Sequence, residues 1–336
     1  MGYPIDDGYR MPAEWAPHAR CWMAWPCAEE TFPDLGLARE AYAQVARTIA
    51  GFEPVTMIAN PEDIADARML CGDAVELVAL AIDDSWSRDT GPTYLVDGRG
   101  GLGGVDWPFN NYGEIDPHYD NDKLLARRLL ERSGAQRFEA PIILEGGAIH
   151  TDGRGTLLTT ENVVLNPNRN PGLTKADADE VFRAHLGAKK VIWLDKALDI
   201  DSTDGHVDNL ACFVRPGVVA ALVAEDPADS QYAPLRENLE RLGRAKDATG
   251  RTLEIIEIGQ PARREFRGER ICSSYINFYI ANGGIVLPVF DDPADTPAIE
   301  ALERAFPDRV VVPVPGVDIA RSGGCIHCIT QQEPQP

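Results

Sequence analysis

GHVDNLACFVRPGVVAALV, residues 205–223, opens on a small polar stretch, runs into the apolar segment 210–214, turns at Arg215-Pro216-Gly217 and returns through a second apolar run, 218–223. Proline and glycine at the turn with β-branched residues on both sides predict a β-hairpin. The same plan recurs in RDTGPTYLVDGRGGLGGVDW from Arg88, GGAIHTDGRGTLLTT from Gly146 and SYINFYIANGGIVLPVF from Ser274, and a truncated copy, GGCIHCIT, begins at Gly323. The starts lie 58, 59, 69 and 49 residues apart, and self-similarity at such a period is the mark of repeated supersecondary units.

Between the hairpins, helical periodicity covers 36–52, 61–70, 118–133, 174–186, 232–244 and 296–306. Short β-branched runs separate these helices: VTMIA at 55, KVIWL at 190, LEIIEI at 253 and RVVVPV at 309. Thr174 with Asp177 three residues on predicts a capped helix start, and Gly187 predicts its left-handed end. The chain therefore reads as α/β, with a helix and a strand after each complete hairpin. The strand RCWMAW at 20–25 could complete the truncated copy, closing a ring and hiding both sheet edges. On this reading residues 1–336 form a single domain of five pseudo-repeats. The equivalent hairpin ends would then face one axis, gathering Asp89, Glu145, His150, His206, Asp208, Asn277, His327 and Cys328.

The chain has 336 residues and 32 Lys+Arg against 53 Asp+Glu, a net charge of −21. No basic run can neutralise phosphates, which argues against a nucleic-acid partner, and an acidic protein favours a small cationic substrate. Apolar residues make up 44% of the chain, enough to fill a core. Asp6 and Asp7 fall where a signal peptide would need an apolar run. The longest charge-free stretch, 271–290, holds Asn282-Gly283 and Pro288 and reads as a hairpin rather than a membrane span. Seven cysteines, an odd number, fit reduced thiols in the cytoplasm.

GRGGLG at 98–103 matches a dinucleotide fingerprint, but GVDWPFNNYG follows it without an amphipathic helix, so a glycine-rich turn is expected. For Cys325 and Cys328 in C-I-H-C, a single nucleophile is ranked ahead of an inert thiol, and both ahead of zinc or redox use, because no second Cys/His pair exists. His206 and Asp208 would face one side of a strand. Asp89 could end a strand in a salt bridge with Arg88. Two carboxylates, a histidine and a cysteine brought together would suit a guanidinium, a planar cation that carboxylates bind bidentately.

MPAEWAPHARCWMAWP at 11–26, DDSWSRDTGPTY at 83–94, LEGGAIHTDGRGTLLTTENVVLNPNRNP at 144–171, STDGHVDNLACFV at 202–214 and GGCIHCITQQ at 323–332 together resemble the agmatine deiminase family, which is akin to bacterial peptidylarginine deiminases. The resemblance runs from 11 to 334. It implies a five-bladed β/α propeller, the pentein fold, and a hydrolase without metal or other cofactor. It also implies Cys328 as nucleophile, His206 as general acid and base, Asp89 and Asp208 as the guanidinium clamp, Glu145 orienting histidine and substrate, and Trp86 lining the pocket. Cys325 departs from the Asn or Gly usual in the family. Agmatine would become N-carbamoylputrescine and ammonia through a covalent thiouronium, in a cytoplasmic protein with no nucleic-acid or membrane partner; a homodimer is compatible with the resemblance. Another guanidino compound or peptidyl-arginine as substrate, a ligand-binding protein without catalysis, and a zinc or redox protein remain the alternatives.

Overall fold

The computed structural model describes residues 2–195, 198 and 201–336. It is an α/β protein in which each complete sequence unit gives an antiparallel hairpin, then a helix, then a strand parallel to the hairpin's second strand. In the unit quoted first, Ala211–Arg215 pairs antiparallel with Val218–Val223, which pairs parallel with Glu254–Gly259 beyond the helix Tyr232–Arg244. Gly217 makes the turn at φ 79°, where a side chain would be strained. Both strands are buried almost throughout, since helices cover the sheet. Tyr232–Arg244 supplies part of that cover by burying Leu235, Asn238 and Leu242 on one face.

The other units repeat the plan. Thr93–Val96 and Leu102–Asp106 are followed by the helix Leu125–Ser133 and the strand Gln136–Glu139. Ile149–Thr151 and Thr156–Thr160 are followed by Lys175–Leu186 and Lys190–Leu194. Tyr279–Ala281 and Gly284–Val289 are followed by Asp295–Ala305 and Val310–Pro315. After the truncated unit, Gln331–Pro334 pairs antiparallel with the N-terminal strand His18–Ala24, which pairs parallel with Val55–Ala59 beyond the helix Leu35–Ala50. The two chain ends thus complete one unit between them, and Val75–Ala79 extends its sheet by a fourth strand.

The capped helix start is present: Asp177 N donates to Thr174 Oγ1 at 3.2 Å, Thr174 N donates to Asp177 Oδ2 at 3.2 Å, and Gly187 ends the helix at φ 72°. GRGGLG is part of the turn and return strand of the first hairpin. Four local expectations differ. The α-helix in 118–133 begins only at Leu125, after the 3-10 turn Asp122–Leu124, and the preceding Asn121 gives its backbone N–H and side-chain amide to Asp83. The segment 271–278 is irregular, so the last complete hairpin is shorter than the apolar run. His206 and Asp208 lie not on a strand but at the 3-10 turn Val207–Asn209, and Asp89 lies in the helical turn Ser87–Thr90 rather than at a strand end. Arg88 turns from Asp89 to Glu14, at 3.4 Å. Among the described residues no helix is long and apolar enough to cross a membrane.

Candidate active site

The short segments that precede the hairpins are tied to one another by polar contacts in sequence order. Gly147 N donates to Asp89 Oδ1 at 2.8 Å. Glu145 Oε2 lies 3.6 Å from His206 Nε2. Asn277 Nδ2 donates to Asn209 Oδ1 at 3.1 Å, and His327 N donates to Asn277 Oδ1 at 3.0 Å. Arg88 N donates to the Cys328 carbonyl at 3.1 Å and closes the circuit. Backbone groups that belong to no strand ladder are satisfied in this way, and the side chains beside them are brought together.

Cys328, His206, Asp208, Asp89, Glu145 and Trp86 are all buried, none more than 7% exposed. Asp208 Oδ2 lies 3.6 Å from Cys328 Sγ, and Asn277 Nδ2 donates to the same sulfur at 3.3 Å. His206 Nδ1 lies 3.6 Å from Asp89 Oδ1. A Cβ on Gly147 would come within 2.5 Å of His206 Nδ1 and 2.9 Å of both Asp208 Oδ2 and Asp89 Oδ1, so the three groups surround one glycine. Gly324 has the matching place on the sulfur side: its Cβ would lie 2.6 Å from the Trp86 ring and 3.1 Å from Cys328 Sγ. Trp86 is held by stacking on Phe32 and by donating Nε1 to Asp84 Oδ2 at 3.1 Å.

Glu145 Oε2, Asp208 Oδ1 and both ring nitrogens of His206 are buried without a hydrogen-bond partner among the described residues. Such groups cost free energy unless a ligand satisfies them, so their concentration beside one thiol points to a polar cationic ligand. Asp89 differs, because its Oδ1 takes the Gly147 N–H and its Oδ2 takes the Tyr112 hydroxyl at 3.0 Å. Tyr112 also lies 6.0 Å from the His206 ring, centroid to centroid. Its loop holds Asn111, Tyr112, Gly113 and Glu114 at φ 50°, 55°, 91° and 66°, a run of left-handed residues that tertiary contacts must support. Asn110 supplies one of them, from Nδ2 to the Asn168 carbonyl, and within the loop its Oδ1 accepts the Gly113 N–H.

Charge and burial compete across the site. Burial pushes Asp89 up to about 6, with His206 opposing and Asp208 and Glu145 adding to the rise. Burial opposes the charged form of His206, but Asp89, Glu145 and Asp208 outweigh it and push the imidazole up to about 9. Burial likewise acts against ionised Asp208 and Glu145, yet His327 for the first, and His206 with Arg169 for the second, hold both below the usual carboxylate range. The Cys328 thiol is raised well above its ordinary value by burial, then by Asp208 and Asp89. A cation between those two carboxylates would remove the last two causes.

The six residues to which the resemblance assigns roles therefore meet. Sequence reasoning passed over Arg169, which donates Nε to Glu145 Oε1 at 3.0 Å and Nη2 to the Thr203 carbonyl at 3.1 Å. It also passed over Tyr112, although an Asn-Asn-Tyr-Gly run that tolerates positive φ was a legible signal. Cys325 stands apart: its Sγ faces the Gly316 carbonyl at 3.8 Å and burial pushes its thiol up to about 12. No group of three or more metal-binding side chains occurs among the described residues.

Gly147→Ala should keep the fold but lower turnover about 10²-fold, because the methyl must displace the tips of His206, Asp208 and Asp89, and ångström-scale misplacement of reacting groups costs about that much. Steady-state kinetics beside a thermal melt checks it; full activity in the alanine variant would contradict the packing.

A buried thiol, an imidazole and paired carboxylates at the ends of repeated hairpins define the class, and the family model agrees. The chain belongs to the Porphyromonas-type peptidyl-arginine deiminase family, whose model matches residues 10–334. The agmatine deiminase of Stutzerimonas stutzeri is 44% identical over 99% of this chain and 97% of its own, and that of Pseudomonas aeruginosa is 42% identical with the same coverage. The solved agmatine deiminase of Enterococcus faecalis superposes with a TM-score of 0.96 at 33% identity, covering 100% of this chain and 98% of that one.

Proposed function

We propose that this protein hydrolyses the guanidinium group of agmatine to give N-carbamoylputrescine and ammonia. The observation that carries the reading is the set of unpartnered buried atoms, Asp208 Oδ1, Glu145 Oε2 and the His206 nitrogens, beside the Cys328 thiol. Guanidinium enters between Asp208 and Asp89, taking over the bond that the Tyr112 hydroxyl makes to Asp89 Oδ2. Its charge offsets the two carboxylates that hold the thiol protonated, and the proton leaves to solvent. The Cys328 thiolate attacks the guanidinium carbon, and His206 as imidazolium gives its proton to the departing nitrogen, releasing ammonia and leaving an S-alkylthiouronium. Neutral His206 then takes a proton from water as the water oxygen attacks the same carbon. The C–S bond breaks as the remaining hydroxyl proton leaves to solvent, where ammonia takes it up; the ureido product departs, and the thiolate and the His206 imidazolium are regenerated.

The substrate's far end is assigned from charge. Arginine would bring an α-carboxylate into a protein of net charge −21, and arginines in or beside the catalytic motifs already face carboxylates: Arg88 faces Glu14, Arg169 faces Glu145 and Arg321 faces Asp318. Agmatine carries an ammonium there instead. Ammonia release from agmatine, arginine and a peptidyl-arginine measured side by side should show agmatine preferred by roughly 10²-fold or more in kcat/KM, the scale of one unsatisfied buried charge. A preference for arginine or for the peptide would overturn the specificity.

The same reading takes residues 1–336 as one catalytic domain of five pseudo-repeats closed into a propeller. The shared unit of the two chain ends and the closed circuit of contacts among the hairpin starts support it. Seven free thiols fit a cytoplasmic protein.

A further inference from the structure

Behind the side chains assigned above lies a second polar layer. His327 Nδ1 is 2.9 Å from Asp208 Oδ2, and its Nε2 is 2.9 and 3.1 Å from the two oxygens of Glu14. All three side chains are buried. An imidazole with a carboxylate on each nitrogen carries a proton on both, since a bare ring nitrogen would set lone pair against lone pair. Glu14 is braced from its far side by Arg88 Nη1 at 3.4 Å and by His150 Nε2 at 3.4 Å. His150 is fixed in turn, because its Nδ1 accepts the Phe213 N–H at 3.2 Å. The consequence falls on Asp208: with Oδ2 taken by His327, its other oxygen is the one left without a partner.

Resting on the guanidinium reading, we propose that His327 is a positioning residue for substrate capture: clamped between Glu14 and Asp208, its imidazolium aims the free oxygen of Asp208 at the guanidinium. It touches neither substrate nor reacting atoms. Its influence on the ionisation of Asp208 is direct and competes with other groups. Arg88 and Asp89 face Asp208 from the helical turn, Cys328 from the C-terminal unit, and His206 and Asp201 from its own segment. Of the charged groups among these, His327 is the one at hydrogen-bond distance, at 2.9 Å, beside the longer contact from the Cys328 thiol at 3.6 Å. Glu14, Arg88, Asp208 and the more distant ring of His150 face His327 itself.

Two substitutions separate the halves of the bridge. In His327→Asn the amide can still donate toward Asp208; in His327→Gln it reaches instead toward Glu14. The asparagine variant should lose about 10-fold in kcat/KM and the glutamine variant about 10²-fold, the usual scale for partners that orient a binding group, with the loss in KM rather than kcat. In both, Asp208 loses the hydrogen-bonding cation that does most to hold it ionised, while His206 and Arg88 remain, so its pKa rises and the acid limb of kcat/KM moves to higher pH. Glu14→Gln should act in the same direction more weakly and add little to His327→Gln, as expected of one chain of contacts. That variant carries the test if His327→Gln melts out. Glutamine as active as asparagine, an unmoved acid limb, or additive Glu14 and His327 effects would each overturn the proposal. Wild-type turnover of agmatine is measured alongside: its absence overturns the function itself, whereas an active wild type with unaffected variants overturns the role of His327 alone.

Discussion

Cys328→Ser abolishes ammonia release, by at least about 10³-fold, while its melting temperature stays within a few degrees of the wild type. Sulfur and oxygen differ little in size, and Asn277 can donate to either, so the site keeps its shape. What is lost is the nucleophile: a serine hydroxyl has no dedicated base, and the carboxylates around it oppose formation of an alkoxide far more than of a thiolate. Cys325→Ser keeps most of its activity. Its sulfur contacts the Gly316 carbonyl, to which a serine can donate, and burial outweighs the Ile326 backbone hydrogen bond that alone acts to lower its pKa. Mass spectrometry of enzyme quenched during turnover should find the adduct on the peptide holding Cys328. Equal loss or equal survival of the two serine variants would remove Cys328 from its role.

Asp208→Asn and Asp89→Asn each weaken kcat/KM by roughly 10²- to 10³-fold, because each leaves a buried cation one charged partner short, a loss of about 2–5 kcal/mol. The two differ in their pH profiles. In Asp89→Asn the Gly147 N–H can still be accepted by the amide oxygen, so the geometry survives and only the charge goes. Asp89 is the largest of the influences that raise His206, which stands at about 9. In the proposed mechanism imidazolium is the acid that expels ammonia; it is lost as pH rises through the pKa of His206, so lowering that pKa moves the basic limb of kcat downward. Asp208→Asn should move that limb less, since its main partner is His327. Near-normal kinetics in either variant would displace the clamp.

Much of the site was legible because its residues sit in short motifs at the starts of repeated hairpins, where polar groups interrupt apolar runs. His206, Asp208 and Asn209 lie within four residues of one another, and their chemistry is readable without knowing that they occupy a turn. Glu14 was not legible. It lies in the N-terminal motif 11–26, to which the resemblance assigns no site residue, and its contact with His327 spans 313 residues. Arg169 lies in the motif 144–171 without an assigned role, although its Nε donates to Glu145 Oε1 at 3.0 Å.

By itself the sequence determined the hairpins, the helices that follow them and the turn glycines, since each of these follows from local pattern: apolar period, capping, and the φ freedom of particular residues; the residues of a deiminase site came from the resemblance of its motifs. Tertiary structure decided the rest. That Arg88 turns from Asp89 to Glu14, that the Tyr112 hydroxyl covers Asp89, and that His327 leaves Asp208 a single free oxygen are outcomes of packing between segments far apart in the chain. Local preference is silent there, because a buried charge takes whichever partner the assembled core places within hydrogen-bond reach, and its neighbour in sequence is only one of the candidates.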